Sequence, residues 1–348
     1  MRPTPFVPVV ASAARAPLAL AALLAASSAS CLSVDFDPPS VVNGVRILAS
    51  RANKPFAKPG DTVEIEVLAH DGRVIKDRPM QIYWIPTACF NPPRDLYYLC
   101  FAQFAGRQAA AQSAGAEPAL PLQPGLDLTA LLPKGPKFSI TFPKDVVSSH
   151  PPSPGALSPY GLGIVFNIAC AGRVKLEELS DNPQSVPLGC YDDAGKKLGA
   201  DDYVIGFSRV YAYDDKTNAN PVIDGLTFDG RPLGPEGIVV DRCTKEKFKE
   251  CETKKLGALV PDASWEPNDL SKGSDGQAVR EQLWATFHST IGRFDNELRL
   301  LFDPQAGRVA ESENELRIPK EPGAGLVWVI VRDNRGGAAW REIPITVK

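Results

Sequence analysis

Residues 326–347 read LVWVIVRDNRGGAAWREIPITV. Leu326 to Arg332 reads as a strand, apolar up to Val331 and closed by Arg332; its branched and aromatic residues are the types that suit a pleated, buried surface. Asp333-Asn334-Arg335-Gly336-Gly337 then supplies turn residues, which tolerate positive φ or hydrogen-bond their own backbone. A second run follows from Ala338 to Val347. Two such runs around a Gly-rich turn predict an antiparallel hairpin.

The same style of segment recurs upstream. Val63, Ile65, Val67 and Ala69 alternate with Glu64, Glu66 and Leu68 after the turn Pro59-Gly60-Asp61, which predicts a half-buried strand. Four short matches also occur in the same order in the two halves of the chain. Val41-Val42-Asn43-Gly44-Val45-Arg46-Ile47 lines up with Val222-Ile223-Asp224-Gly225-Leu226-Thr227-Phe228, and Gln81-Ile82-Tyr83-Trp84 with Gln282-Leu283-Trp284. Phe142-Pro143-Lys144-Asp145 is echoed by Ile318-Pro319-Lys320-Glu321, and Gly161–Phe166 by Gly325–Ile330. An ordered internal repeat of this kind points to duplicated structure.

Proline strengthens the reading. It makes up 33 of 348 residues, about 9%, against a usual ~5%, and it cannot be spread that densely through helix interiors. Short strands with turn punctuation and no βαβ alternation give the expected class: all-β, with two antiparallel β-sandwiches. We expect domain 1 over residues 41–215, with an Ala/Gln/Pro-rich insertion around 104–136, and domain 2 over 216–348. The division falls near Thr217–Pro221, with residues 219–348 able to fold alone. Trp84, Trp284 and Trp328 are expected in the cores.

The N-terminus reads as a targeting segment. Arg2 and Arg15 are its only charges, Ala16 to Ala26 is an apolar run, and Ser27-Ser28-Ala29-Ser30 leads to Cys31. The run has the length of a signal-peptide core and is too short to span a bilayer. This layout resembles a bacterial lipoprotein signal, which implies cleavage after residue 30, lipidation of Cys31, and residues 31–40 as a tether. The alternative is an ordinary secretory peptide cut after Ala29 or Ser30, with Cys31 a plain thiol.

Setting Cys31 aside leaves Cys89, Cys100, Cys170, Cys190, Cys243 and Cys251, three close pairs along the chain. Proximity predicts the bridges Cys89–Cys100, Cys170–Cys190 and Cys243–Cys251, although six cysteines allow 15 connectivities; unpaired buried thiols are the alternative. A continuous helix over Asp241–Lys255 would hold Cys243 and Cys251 about 12 Å apart, beyond disulfide reach, so that segment is expected to bend back as a loop. Taken together, the chain resembles the immunoglobulin-like domains of secreted bacterial lipoproteins, many without an assigned function. The resemblance implies a lipid-anchored protein of the cell envelope, on the outer membrane, with Trp84 as a core tryptophan.

Chemistry is harder to find. No G-x-S-x-G, phosphate loop or H-E-x-x-H occurs, and His70, His150 and His288 are far apart with no carboxylate partner discernible from sequence. No catalytic residue, metal site or cofactor is therefore expected. Net charge is −3, which gives no reason to expect nucleic acid as a partner. The expected function is non-catalytic: an interaction or structural module binding an envelope protein or a glycan, held to the membrane by its N-terminal lipid. The alternative is a metal-dependent enzyme or accessory module using the acidic pairs Asp192-Asp193, Asp201-Asp202 and Asp214-Asp215, whose hard oxygen atoms suit calcium.

Overall fold

The computed structural model describes residues 38–348 apart from 114–122, 152–154, 179–181 and 183. The signal segment 1–30 and tether residues 31–37, Cys31 among them, lie outside the described residues. Residues Pro39–Lys348 form one compact unit.

The first half contains β1 (Val45–Ala52), β2 (Phe56–Ala57), β3 (Thr62–Asp71), β4 (Gln81–Trp84) and β5 (Cys89–Phe90), followed by helix α1 (Leu99–Ser113). It continues with β6 (Lys137–Thr141), β7 (Gly161–Cys170), β8 (Arg173–Leu176), β9 (Leu188–Tyr191) and β10 (Tyr203–Ala212). The second half opens with β11 (Gly225–Phe228), β12 (Arg231–Pro232), β13 (Ile238–Val240), β14 (Thr253–Leu259), β15 (Pro267–Lys272) and β16 (Ala278–Arg280). It closes with β17 (Leu283–Ser289), β18 (Arg293–Phe294), β19 (Leu298–Asp303), β20 (Gly307–Arg308), β21 (Asn314–Arg317), β22 (Gly323–Asp333) and β23 (Ala338–Val347).

Each half is a β-sandwich, and the two share one strand order. In the first, the sheet β1-β3-β6 packs on the sheet β2-β10-β7-β4; in the second, β11-β14-β21 packs on β13-β23-β22-β17, with short strands added at the edges. Even the exceptional parallel pairings correspond, β2 with β10 and β13 with β23. The four sequence matches fall at equivalent places: β1 and β11, β4 and β17, the segments leaving β6 and β21, and β7 and β22. Phe142 and Ile318, which lead the third match, are both buried.

Inward-facing side chains fill each sandwich, including Val63, Ile65, Trp84, Val165 and Val210 in the first and Leu256, Phe287, Leu316, Val329 and Ile343 in the second. Trp84 is fully buried, stacks on Phe138 at 5.5 Å, and donates its indole N–H to the Gly135 carbonyl at 2.8 Å. Trp284 departs from expectation. On β17 it alternates with Leu283 and Ala285, which point into the core, so its own side chain is only half-buried on the opposite face.

The insertion also differs from its sequence reading. Far from a loop without periodicity, it begins inside α1, which starts at Leu99. Phe101 and Phe104 of α1, with Leu128 and Leu132 beyond it, cover the outer face of the β7 sheet. That third layer explains why every residue of β7 is buried. The Cys89–Cys100 disulfide (Cα–Cα 5.6 Å) ties the first turn of α1 to β5. Cys170–Cys190 (5.9 Å) joins β7 to the β8–β9 ribbon on the same layer. Cys243–Cys251 (5.4 Å) closes a loop that carries a single helical turn at Phe248–Glu250, the bent arrangement the spacing required. Three disulfides belong to an oxidising compartment.

The two sandwiches pack directly on one another. Val42, Leu48 and Ala49 from the start of the first meet Trp328 and Ile330 from β22. Arg332 donates to the Leu48 carbonyl at 2.7 Å and Arg51 lies 4.1 Å over the Trp340 ring. The chain entering β1 also runs beside β17, with Val42 N–H bonded to the Ser289 carbonyl and Ser289 N–H to the Ser40 carbonyl.

Candidate functional site

The segment linking the sandwiches, residues 213–224, runs past the turn between β22 and β23 and is bonded to it on several sides. Asn218 donates to the Asp333 carboxylate at 3.1 Å, and Asn220 accepts from Ala338 N–H while donating to the Ala52 carbonyl at 2.8 Å. Arg335 sits at the centre. Its guanidinium is nearly inaccessible and donates to Glu281 at 2.9 Å, Glu266 at 2.6 Å and the Thr217 carbonyl at 3.3 Å. Glu281 is 1% exposed. Burial pushes its carboxyl up to about 7, with the nearby Asp333 charge adding to the rise and Arg335 opposing it. Burial likewise raises Asp333, against hydrogen bonds from Gly337, Arg335 and Asn218.

Beside this network lies a cleft of about 440 Å³ between the sandwiches. Tyr211 and Tyr213 at the end of β10, Phe56 on the paired β2 and Tyr160 just before β7 form its aromatic side. Asn268, Leu270 and Ser271 of β15 and Asn334–Gly336 of the β22–β23 turn form the other. The rings are mutually packed: Phe56–Tyr213 at 4.7 Å, Tyr160–Tyr211 at 5.5 Å, with Arg335 5.6 Å over Phe56. Burial raises Tyr211 and Tyr213, the latter to about 12. Their hydroxyls stay protonated at neutral pH, able to donate and accept hydrogen bonds.

Behind Tyr160, His150 Nε2 lies 2.8 Å from Asp95 Oδ1, and the Tyr160 hydroxyl donates to the other oxygen of the same carboxylate. The imidazole packs on the tyrosine ring at 4.5 Å. Arg94 and Asp95 have left-handed backbones, φ 56° and 59°, a conformation that costs free energy for non-glycine residues. The carboxylate is thereby held where it positions Tyr160. His150 thus has a carboxylate partner that sequence did not disclose, because 55 residues separate the two. The His70 ring packs tilted at 55° against Trp328, centroids 4.7 Å apart, and His288 meets the Pro39 carbonyl at 3.2 Å; both rings pack where the sandwiches meet.

The acidic pairs do not converge. Asp202 pairs with Arg73 at 2.9 Å, Asp215 with Lys216 at 3.4 Å, and Asp192 caps its own turn by accepting from Lys196 N–H. Asp202 and Asp214 flank opposite ends of the ten-residue β10, roughly 33 Å of strand. A metal site built jointly from Asp192, Asp201 and Asp214 is therefore not formed, and no cluster of three or more metal-ligating side chains occurs among the described residues. No described helix is long and apolar enough to cross a membrane.

No protein-family model and no curated protein matches the chain. Among solved structures it is similar to dimeric latent PorU from Porphyromonas gingivalis, at 12% identity and TM-score 0.21 over 88% of this chain and 24% of that one. A second is the three N-terminal domains of the bacteriophage RB49 highly immunogenic outer capsid protein, at 10% identity and TM-score 0.19, over 86% and 58%. A third is extracellular domains 3–5 of Drosophila OTK, at 10% identity and TM-score 0.15, over 90% and 100%. The chain thus spans about a quarter of the first and under two thirds of the second.

Proposed function

We propose that this chain is a non-catalytic, lipid-anchored protein of the cell envelope, held on the outer membrane through Cys31, whose paired immunoglobulin-like sandwiches bind a glycan. The observation that carries this reading is the tyrosine-lined cleft. Its volume lies within the ~300–1,000 Å³ typical of small-ligand sites, whereas a protein partner needs a far wider face of about 800 Å². Tyrosine side chains along one wall with amide and hydroxyl groups along the other suit a sugar ring, with an apolar face and a polar rim. Wide separation of the acidic pairs weighs against a metal-dependent activity shared among them.

Two measurements test the reading. Oligosaccharides released from the envelope should bind the protein, and Tyr211→Ala should weaken that binding on the order of tenfold while leaving the circular dichroism unchanged. Equal affinity in the variant would remove the cleft from consideration. Separately, Cys31→Ser should move the protein from the membrane to the soluble fraction. A wild-type protein that is already soluble and carries no acyl mass would end the anchor proposal.

A further inference from the structure

The loop between β3 and β4 carries the two most exposed large aliphatic residues among those described. Val74 is 98% exposed and Ile75 74%. Adjacent branched side chains this bare are unusual on a soluble surface and mark a contact with an apolar phase or partner. The loop's base is held on every side. Arg73 is buried and donates to both oxygens of Asp71 at 2.9 Å, to Asp202 at 2.9 Å and to the Arg78 carbonyl at 2.7 Å. Gly72 N–H bonds the Gly44 carbonyl, and a Cβ at Gly72 would fall 2.4 Å from the Val42 carbonyl oxygen. The two aliphatic side chains are therefore displayed from a rigid base.

We infer that Val74 and Ile75 form a membrane-contacting tip that inserts into the lipid surface carrying the protein's N-terminal anchor. The location supports it. The loop springs from Gly72, against Val42, where the chain enters the first sandwich. Val42 lies three positions after Pro39, and Pro39 eight positions after Cys31, so an extended tether reaches at most about 28 Å. An acyl chain on Cys31 keeps this end of the molecule within a few nanometres of the bilayer. Lys76, exposed beside the tip, can extend its ammonium to the headgroups while its stem follows the apolar side chains inward. Burying two aliphatic side chains supplements a lipid anchor that is weak when it has a single chain. The inference rests on the anchor reading for how the tip is delivered, but not for its test.

The test uses residues 39–348, a compact unit, attached by an N-terminal polyhistidine tag to chelating lipid in phosphatidylethanolamine–phosphatidylglycerol vesicles. The tag replaces the acyl chain, so failure of lipidation cannot affect the outcome. An environment-sensitive fluorophore is placed at Val74→Cys, and a control at Leu298→Cys, also exposed but in the second sandwich. The label at 74 should shift to the blue and brighten on vesicles while the label at 298 does not. In the unlabelled protein, Val74→Ser with Ile75→Ser should lower vesicle partitioning of the untagged unit by about tenfold. A label at 74 that stays solvent-like on vesicles would overturn the inference. So would one that brightens without vesicles as protein concentration rises, which would make the tip a contact between copies.

Discussion

Arg335→Met is expected to destabilise the protein by about 3–5 kcal/mol near pH 8, the usual cost of removing one partner from a buried ion pair. The cause is the set of carboxylates left behind. Glu281, fully enclosed, and Glu266 would both lose their guanidinium partner, and Asp333 would remain close by. The penalty should shrink near pH 5, because Glu281 is protonated there in the folded state and no longer needs a counter-ion. In the unfolded chain Glu281 titrates near its ordinary 4.5, against about 7 when folded. Across that window the folded state binds more protons than the unfolded one, so this group makes stability fall as pH rises from 4.5 to 7. Glu281→Gln should flatten the wild-type dependence over the same range. Urea unfolding of both variants across the window provides the measurement. A cost for Arg335→Met that is the same at both pH values would show that Glu281 is not the group responsible.

Trp328→Ala should cost a similar amount, about 3–5 kcal/mol, and should change the character of unfolding as well. Trp328 is fully buried, yet it belongs to neither sandwich core. It packs between the two, against His70, Leu48 and Ile330, with its indole N–H bonded to Glu342 at 2.7 Å. Removing it opens a cavity at the junction and loosens the coupling between the halves. Denaturation followed by two probes, one in each sandwich, should then resolve two transitions where the wild type is expected to show one. Val329→Ala, in the core of the second sandwich, should lower stability without separating them. If Trp328→Ala unfolds in one step at wild-type stability, the junction contributes nothing. The same packing bears on a fragment of residues 219–348, which would expose Trp328 and Ile330 to water.

Much of the architecture was legible along the chain. Local chemistry determined the elements: alternation at Val63–Ala69, the hairpin at 326–347, and a proline density that no helical fold tolerates. The repeated segments disclosed the duplication because equivalent strands meet equivalent surroundings and retain similar residues. Close cysteine spacing pointed to bridges that span only 5.4–5.9 Å between Cα atoms. The bend over Asp241–Lys255 followed from helix geometry once Cys243 and Cys251 were paired by proximity.

Tertiary structure decided what those elements do for one another. The continuous apolar run at Leu326–Val331 reads as a buried strand. Only the fold shows that Val327, Val329 and Val331 face one core while Trp328 and Ile330 face a second contact with the first sandwich. The weakly periodic stretch around 104–136 gives little local signal, because α1 and the residues after it are held by a disulfide and by the far side of β7. The cleft is invisible in sequence for the same reason. Phe56, Tyr160, Tyr211 and Arg335 are brought together by sheet register and by packing of one sandwich on the other, interactions between residues up to 279 positions apart. Sequence carries the periodicity of each strand, a property of neighbours two residues apart; the site depends on which faces meet, and that is settled only when the whole chain has buried its apolar surface.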